Sequence, residues 1–196
     1  MIKRKDFICF GEDWGRHPSS TQHIIRTLAK ENRVLWINSI SYRSPRFDIA
    51  DISRLFNKFR NWFTQPQRQN LRNIYVYSPI VFPFFQIGLF RKINKLILNL
   101  QVNNLLKKLR IKDPILWISV PTAADMPDVI KNCLSIYYCG DEFSEFPGVN
   151  SSAIRRLETY LLKKSDLVIA SSKKLKEAKE NVNKNTFLIT HAVEFQ

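Results

Sequence analysis

"DFICFGEDWGRHPSSTQHIIRTLAKENRVLWIN" (residues 6–38) is the stretch whose reading decides the fold. "DFICFG" (6–11) is a short apolar run that stops at a glycine, as a buried strand does. A polar loop follows, and then Ser19, Ser20 or Thr21 can accept a bond from a free helix N–H and so start a helix. In "TQHIIRTLAKE" the residues Ile24, Ile25, Leu28 and Ala29 recur at helical spacing, and "RVLWIN" (33–38) returns to a buried strand pattern. A strand, a helix and a second strand in this order predict a parallel pair joined by a right-handed crossover.

Working outward, the alternation continues. Strand patterns occur at "NIYVYSP" (73–79), "PILWISV" (114–120), "LSIYYC" (134–139), "DLVIASS" (166–172) and "NTFLITHAV" (185–193). Helical patterns lie between them at 51–63, 90–109, 151–166 and 173–182. The expected fold class is therefore α/β: a doubly wound, mostly parallel Rossmann-like sheet of about six to seven strands with helices on both faces.

The 196 residues carry a formal net charge of +14. That balance fits a polyanionic partner: nucleic acid, anionic lipid or a phosphorylated substrate. The charge is concentrated. Residues 52–112 hold twelve Lys or Arg and no acid, whereas the remainder holds 19 basic against 17 acidic residues. The apolar run behind "MIKRKD" is too short for a signal peptide. The uncharged stretch from Asn73 to Phe90 contains Pro79, Pro83 and Gln86, and reads as a strand plus an apolar loop, not as a membrane span. Cys9, Cys133 and Cys139 lie in apolar runs without CxxC spacing, and read as reduced, buried strand residues of a cytosolic protein. No internal repeat or metal-ligand spacing is evident, and D-x-D, GxGxxG and the P-loop motif are missing.

In an open parallel sheet, ligands bind outside the carboxyl ends of the strands. The loop "GDEFSEFPG" (140–148) groups three acids, Asp141, Glu142 and Glu145, just after a strand in this basic chain. Such a carboxylate can take a proton from a substrate hydroxyl or bind sugar hydroxyls. A solvated acidic loop beside the next helix N-terminus would look the same in sequence. The first loop offers Trp14, Arg16 and His17, and Gly11 permits close backbone approach to an anion. His17 can equally be an ordinary loop residue, and His23 reads as a structural helix residue.

The helix pattern at 51–63 sets an aromatic-rich apolar face that includes Trp62 and Phe63 against Arg54, Lys58 and Arg60. That arrangement suits a helix lying in the plane of an anionic membrane. It also suits a helix packed on the sheet with solvated cations.

Several segments together resemble the amino-terminal lobe of GT-B glycosyltransferases, in particular bacterial enzymes of the teichuronic-acid-biosynthesis type. They are "ICFGEDW…HPSSTQHIIRTLAKENRVLWIN", "ILWISVP", "IYYCGDEFSEFPG", "LETYLLKKSDLVIASSKKL" and "HAVEF". The resemblance implies that residues 1–190 form a Rossmann-like acceptor lobe and that 191–196 begin a linker to a donor-binding lobe outside this chain. It implies a metal-independent hexosyltransferase with no cofactor, using a nucleotide-sugar as donor and a cell-surface polysaccharide or lipid-linked acceptor. Asp141 and Glu142 would then be acceptor-side, candidate catalytic carboxylates. Trp14, Arg16 and His17 would line the acceptor side, and Gly11 would approach the donor diphosphate. The expected location is cytoplasmic, peripheral on the inner face of the cell membrane. The competing expectation is a non-catalytic basic module that docks on anionic membrane, or less favourably on nucleic acid.

Overall fold

A computed structural model describes residues 2–17, 19–39, 67–68, 73–82, 84–85 and 87–190. The expected helix at 51–63, with Arg54, Lys58, Arg60, Trp62 and Phe63, lies outside the described residues, as do 191–196.

The strands are β1 (Asp6–Phe10), β2 (Arg33–Ile37), β3 (Gln67–Arg68), β4 (Ile74–Tyr77), β5 (Ile115–Ile118), β6 (Leu134–Cys139), β7 (Leu167–Ala170) and β8 (Thr186–Leu188). The helices are α1 (Ser20–Leu28), α2 (Gly88–Leu109), α3 (Ser151–Lys164) and α4 (Lys173–Glu180). In space the strands run β3-β4-β2-β1-β5-β6-β7-β8. All neighbours pair parallel except the two-residue edge strand β3, which is antiparallel to β4. The chain steps from β1 outward to β2 and β4, then crosses back to β5 and continues the other way. The strand order therefore reverses between β1 and β5, the place where open sheets of this kind leave a crevice.

Alternate residues of each strand feed two cores, as the period of two requires. On one face Ile8, Phe10, Leu35, Ile37, Leu116 and Ile118 meet Leu98, Val102 and Leu105 of α2 and Ile154, Leu157 and Leu161 of α3. On the other, Phe7, Cys9, Val34, Trp36, Ile115 and Trp117 meet Ile25 and Ala29 of α1. The doubly wound α/β reading of the sequence is thus the observed architecture. Cys133 corrects one expectation: it is exposed and precedes β6, whereas Cys9 and Cys139 are buried in strands.

Two polar devices hold elements that apolar packing alone would leave loose. Arg33 makes a two-pronged bond to Asp6, with Nε and Nη2 each 2.8 Å from a carboxylate oxygen, and clamps the amino ends of β1 and β2. Its Nη1 also donates to the Leu109 carbonyl at 2.7 Å, where the end of α2 leaves carbonyls without helical partners. On the far side of α2, two buried amides grip the extended chain after β4. Gln101 accepts from Ile80 N and donates to Ile80 O, while Asn94 does the same with Phe82. These pairs mimic a strand ladder and satisfy backbone groups that a buried loop would otherwise strand.

Glycine at position 11 has a specific packing cause. A Cβ there would lie 2.4 Å from the Trp36 ring, far inside van der Waals contact. Trp36 is fully buried, and its indole N–H donates to the Glu12 carbonyl at 3.0 Å, so the ring has no room to retreat. Gly11→Ala is expected to destabilise the protein by about 1–3 kcal/mol, the usual range for overpacking, read as a lower urea midpoint at unchanged slope.

Candidate functional site

The parallel pairing brings the carboxyl ends of β1, β2, β5, β6 and β7 to one edge of the sheet. Backbone bonds continue past the strands there: Ser119 N donates to Phe10 O, Asn38 N to Tyr77 O and Ser171 N to Cys139 O. The loops that follow are consequently stitched side by side.

The first loop is organised by Gln22 of α1, a buried residue. Its side-chain amide donates to Glu12 at 3.0 Å and to the His17 carbonyl at 3.3 Å, and its oxygen accepts from Gly15 N at 3.1 Å. Gly15 has φ of +75°, a left-handed backbone that glycine adopts without cost. Ser19 is the residue that caps α1, accepting from Gln22 N, and its hydroxyl also donates to Glu12. Trp14 turns inward: its ring packs edge-on against Trp36 with centroids 4.8 Å apart, and Arg26 lies over its face. Arg16 is exposed and pairs with Asp13 at 3.6 Å, and Asp13 in turn accepts from Ser39 at 3.0 Å. His17 is exposed. The first loop thus presents Arg16 and His17 to solvent, while most of Trp14 serves the core.

The acidic loop separates into three unlike carboxylates. Glu145 forms an exposed pair with Arg155 at 3.2 Å. Glu142 reaches Lys179 of α4 at 2.8 Å, and Lys179 also holds Glu158 of α3 at 2.8 Å. Lys179 and Glu158 are only 8% and 6% exposed, so a buried ion pair is joined by a third, half-buried member, Glu142. Tyr137 completes it, donating to Glu158 at 2.8 Å. Burial pushes the Glu142 carboxyl up, but the bonds from Lys179 and Ser144 outweigh it and hold the group below its usual range. Burial likewise pushes the Lys179 ammonium down, and its two carboxylate partners more than reverse that. The neighbouring Cys139 thiol is pushed up to about 12, mainly by burial and then by Glu158, so it stays protonated and unreactive near neutral pH.

Asp141 differs from both. Among the described residues its carboxylate makes no hydrogen bond or ion pair, although its backbone carbonyl faces Cys139. The Tyr138 phenol, buried in β6, is pushed up first by burial, against a bond from Ser20, and further by the charge of Asp141. Glu12 follows β1 and Asp141 follows β6, so both lie on loops at the carboxyl edge of the sheet. Behind them a groove of about 720 Å³ opens between α3 and α4, lined by Asp141, Glu142, Ser171, Ser172, Lys174 and Leu175 among others.

Sequence reasoning found the acidic loop but missed Glu12, Glu158 and Lys179. Glu158 had a usable signal, since it falls inside the apolar stripe of Ile154, Leu157 and Leu161. An acid on a buried helix face requires a partner. Lys179, four residues after Leu175, has the same signature in α4. Among the described residues no group of three or more His, Cys, Asp or Glu is arranged to hold a metal ion.

No family model matches the sequence, and no curated protein matches it in sequence. The fold does match solved structures. Anabaena Alr3699/HepE in complex with UDP aligns with a TM-score of 0.55 at 13% identity, over 97% of this chain and 44% of that one. The complex of the same protein with UDP and glucose aligns at 0.53 and 14% identity, over 96% and 45%. The chain therefore spans less than half the length of that protein.

The triad sets two expected outcomes. Lys179→Met should destabilise by about 3–5 kcal/mol in a denaturant titration, because Glu158 is left buried without its cation. Glu142, with a depressed folded pKa, contributes stability that is present above its unfolded value near 4.5 and is lost as pH falls through the folded value. Urea midpoints should accordingly drop below about pH 4.5, and Glu142→Gln should make that drop shallower.

Proposed function

We propose that this chain is the acceptor-side lobe of a GT-B glycosyltransferase of the teichuronic-acid-biosynthesis type, which moves a sugar from a nucleotide-sugar to a polysaccharide or lipid-linked acceptor. The observation that carries the reading is the exposed Asp141 carboxylate, without a hydrogen bond or ion pair among the described residues, at the carboxyl edge of a parallel sheet whose fold is shared with a UDP-complexed protein. The sequence segments that resemble this enzyme group supply its finer part.

In the proposed reaction Asp141 accepts the proton of the acceptor hydroxyl. The hydroxyl oxygen bonds to the anomeric carbon, the bond from that carbon to the diphosphate breaks, and the nucleoside diphosphate leaves with its electron pair. Glu142 is the poorer base: it is held below its usual range and is already bonded to Lys179 and Ser144. The donor lobe, in the remainder of a longer protein or in a partner chain, supplies the rest of the nucleotide site. A cytoplasmic location follows from the use of nucleotide-sugars.

The test is turnover by the full-length protein. Release of nucleoside diphosphate is followed for a panel of nucleotide-hexoses with glycan and polyprenyl-linked acceptors. Asp141→Asn is expected to lower kcat by about 10²–10⁴-fold with donor binding unchanged by calorimetry. Wild-type turnover in that variant would remove Asp141 from the chemistry. Background release with every donor would instead favour a non-catalytic module.

A further inference from the structure

α2 is amphipathic in a double sense. Leu98, Val102, Leu105 and Leu106 face the core, yet Leu89, Leu96 and Leu100 are 66%, 60% and 59% exposed. Positions 89, 93, 96 and 100 follow the helical repeat, so the three leucines and half-buried Ile93 form one continuous outer stripe three turns long. Ile87, which caps the amino end of the helix, is also exposed. Monomeric proteins seldom leave a contiguous apolar stripe of this kind in water without a use for it.

Among the described residues, the charges that α2 itself sets beside the stripe are all of one sign. The 22 residues of α2 contain no Asp or Glu. Lys92 and Lys107 are exposed on its outer side. Asp125 and Asp128 lie on its flank and are engaged by Arg91 and Lys95. Leucines projecting between lysines match the chemistry of a bilayer interface with anionic headgroups: acyl chains take the leucines and phosphates take the ammonium groups. A second copy of this chain fits less well. Two α2 helices laid together on their leucines would set two lysine-bearing helices side by side, with no acid on either helix to relieve the repulsion.

We propose that the outer face of α2 is a docking surface for a membrane bearing anionic lipid. The helix lies in the interface plane with Leu89, Leu96 and Leu100 in the headgroup–acyl boundary. Its amino end then holds the carboxyl edge of the sheet close to the bilayer, within reach of a lipid-borne ligand. The proposal is independent of the glycosyltransferase reading, because vesicle binding and sugar turnover are separate measurements.

Co-sedimentation of the full-length protein with phosphatidylcholine vesicles, with and without phosphatidylglycerol, tests it. The wild type is expected to bind only the mixed vesicles. Leu96→Ser with Leu100→Ser should lower the partition coefficient at least about tenfold. Lys92→Gln with Lys107→Gln should lower it about fivefold per lysine. These positions are exposed, so both variants should keep the wild-type melting temperature and circular dichroism. Equal binding by wild type and the leucine variant, equal binding to neutral vesicles, or no binding at all would overturn the proposal. So would a wild-type dimer in sedimentation equilibrium that the leucine variant abolishes, which would assign the stripe to a second copy.

Discussion

The rest of the structure depends on the parallel pairing of β1 with β2 on one side and β5 on the other. Parallel strands need crossover connections, and right-handed crossovers that run in opposite directions across the sheet must lie on opposite faces of it. α1 therefore covers one face and α2 and α3 the other. The same geometry forces the loops after the strands to a single edge. Glu12, Ser39, Asp141 and Ser171 are neighbours of that edge because of chain direction, not because of any motif they share.

At that edge, close packing leaves little freedom. Trp36 fills the space under Gly11, receives the edge of Trp14 and bonds the Glu12 carbonyl. Gln22 then ties Glu12 and the backbone of residues 15 and 17 to α1. A loop rich in polar residues is in this way fixed by one large ring below it and one buried amide beside it. Gly11, whose sequence context also allows approach to an anion, already has a sufficient reason in the ring.

The acidic loop is a second case of environment assigning roles. Three carboxylates within five residues could have acted alike. Lys179 commits Glu142 to the triad and Arg155 commits Glu145 to a surface pair, whereas Asp141 has no such partner among the described residues. A buried cation and acid, here Lys179 and Glu158, form an expensive arrangement unless each group is bonded. Tyr137 and Ser144 supply further bonds to the triad's two acids. The triad joins the β6 loop, α3 and α4, and so fixes the wall of the groove behind Asp141.

The strand and helix order, the parallel doubly wound class and the position of the acidic loop were legible in residues 6–38 and 114–172, because period-two and period-3.6 apolar patterns report burial directly. Element ends shifted by a few residues, as at β8 (Thr186–Leu188) against an expected 185–193, since caps and pairing partners set ends while periodicity does not. What only the tertiary structure decided were relations between distant residues: which carboxylate of the acidic loop lacks a partner among the described residues, that Lys179 joins Glu142 to Glu158, and that Trp14 packs against Trp36. It also decided that the leucines of α2 point outward. In sequence "FRKINKLILNLQVNNLLKKL" shows apolar residues on more than one side, and only the position of the sheet tells which side is buried. Local sequence determines what a segment can bury, whereas packing determines what it meets.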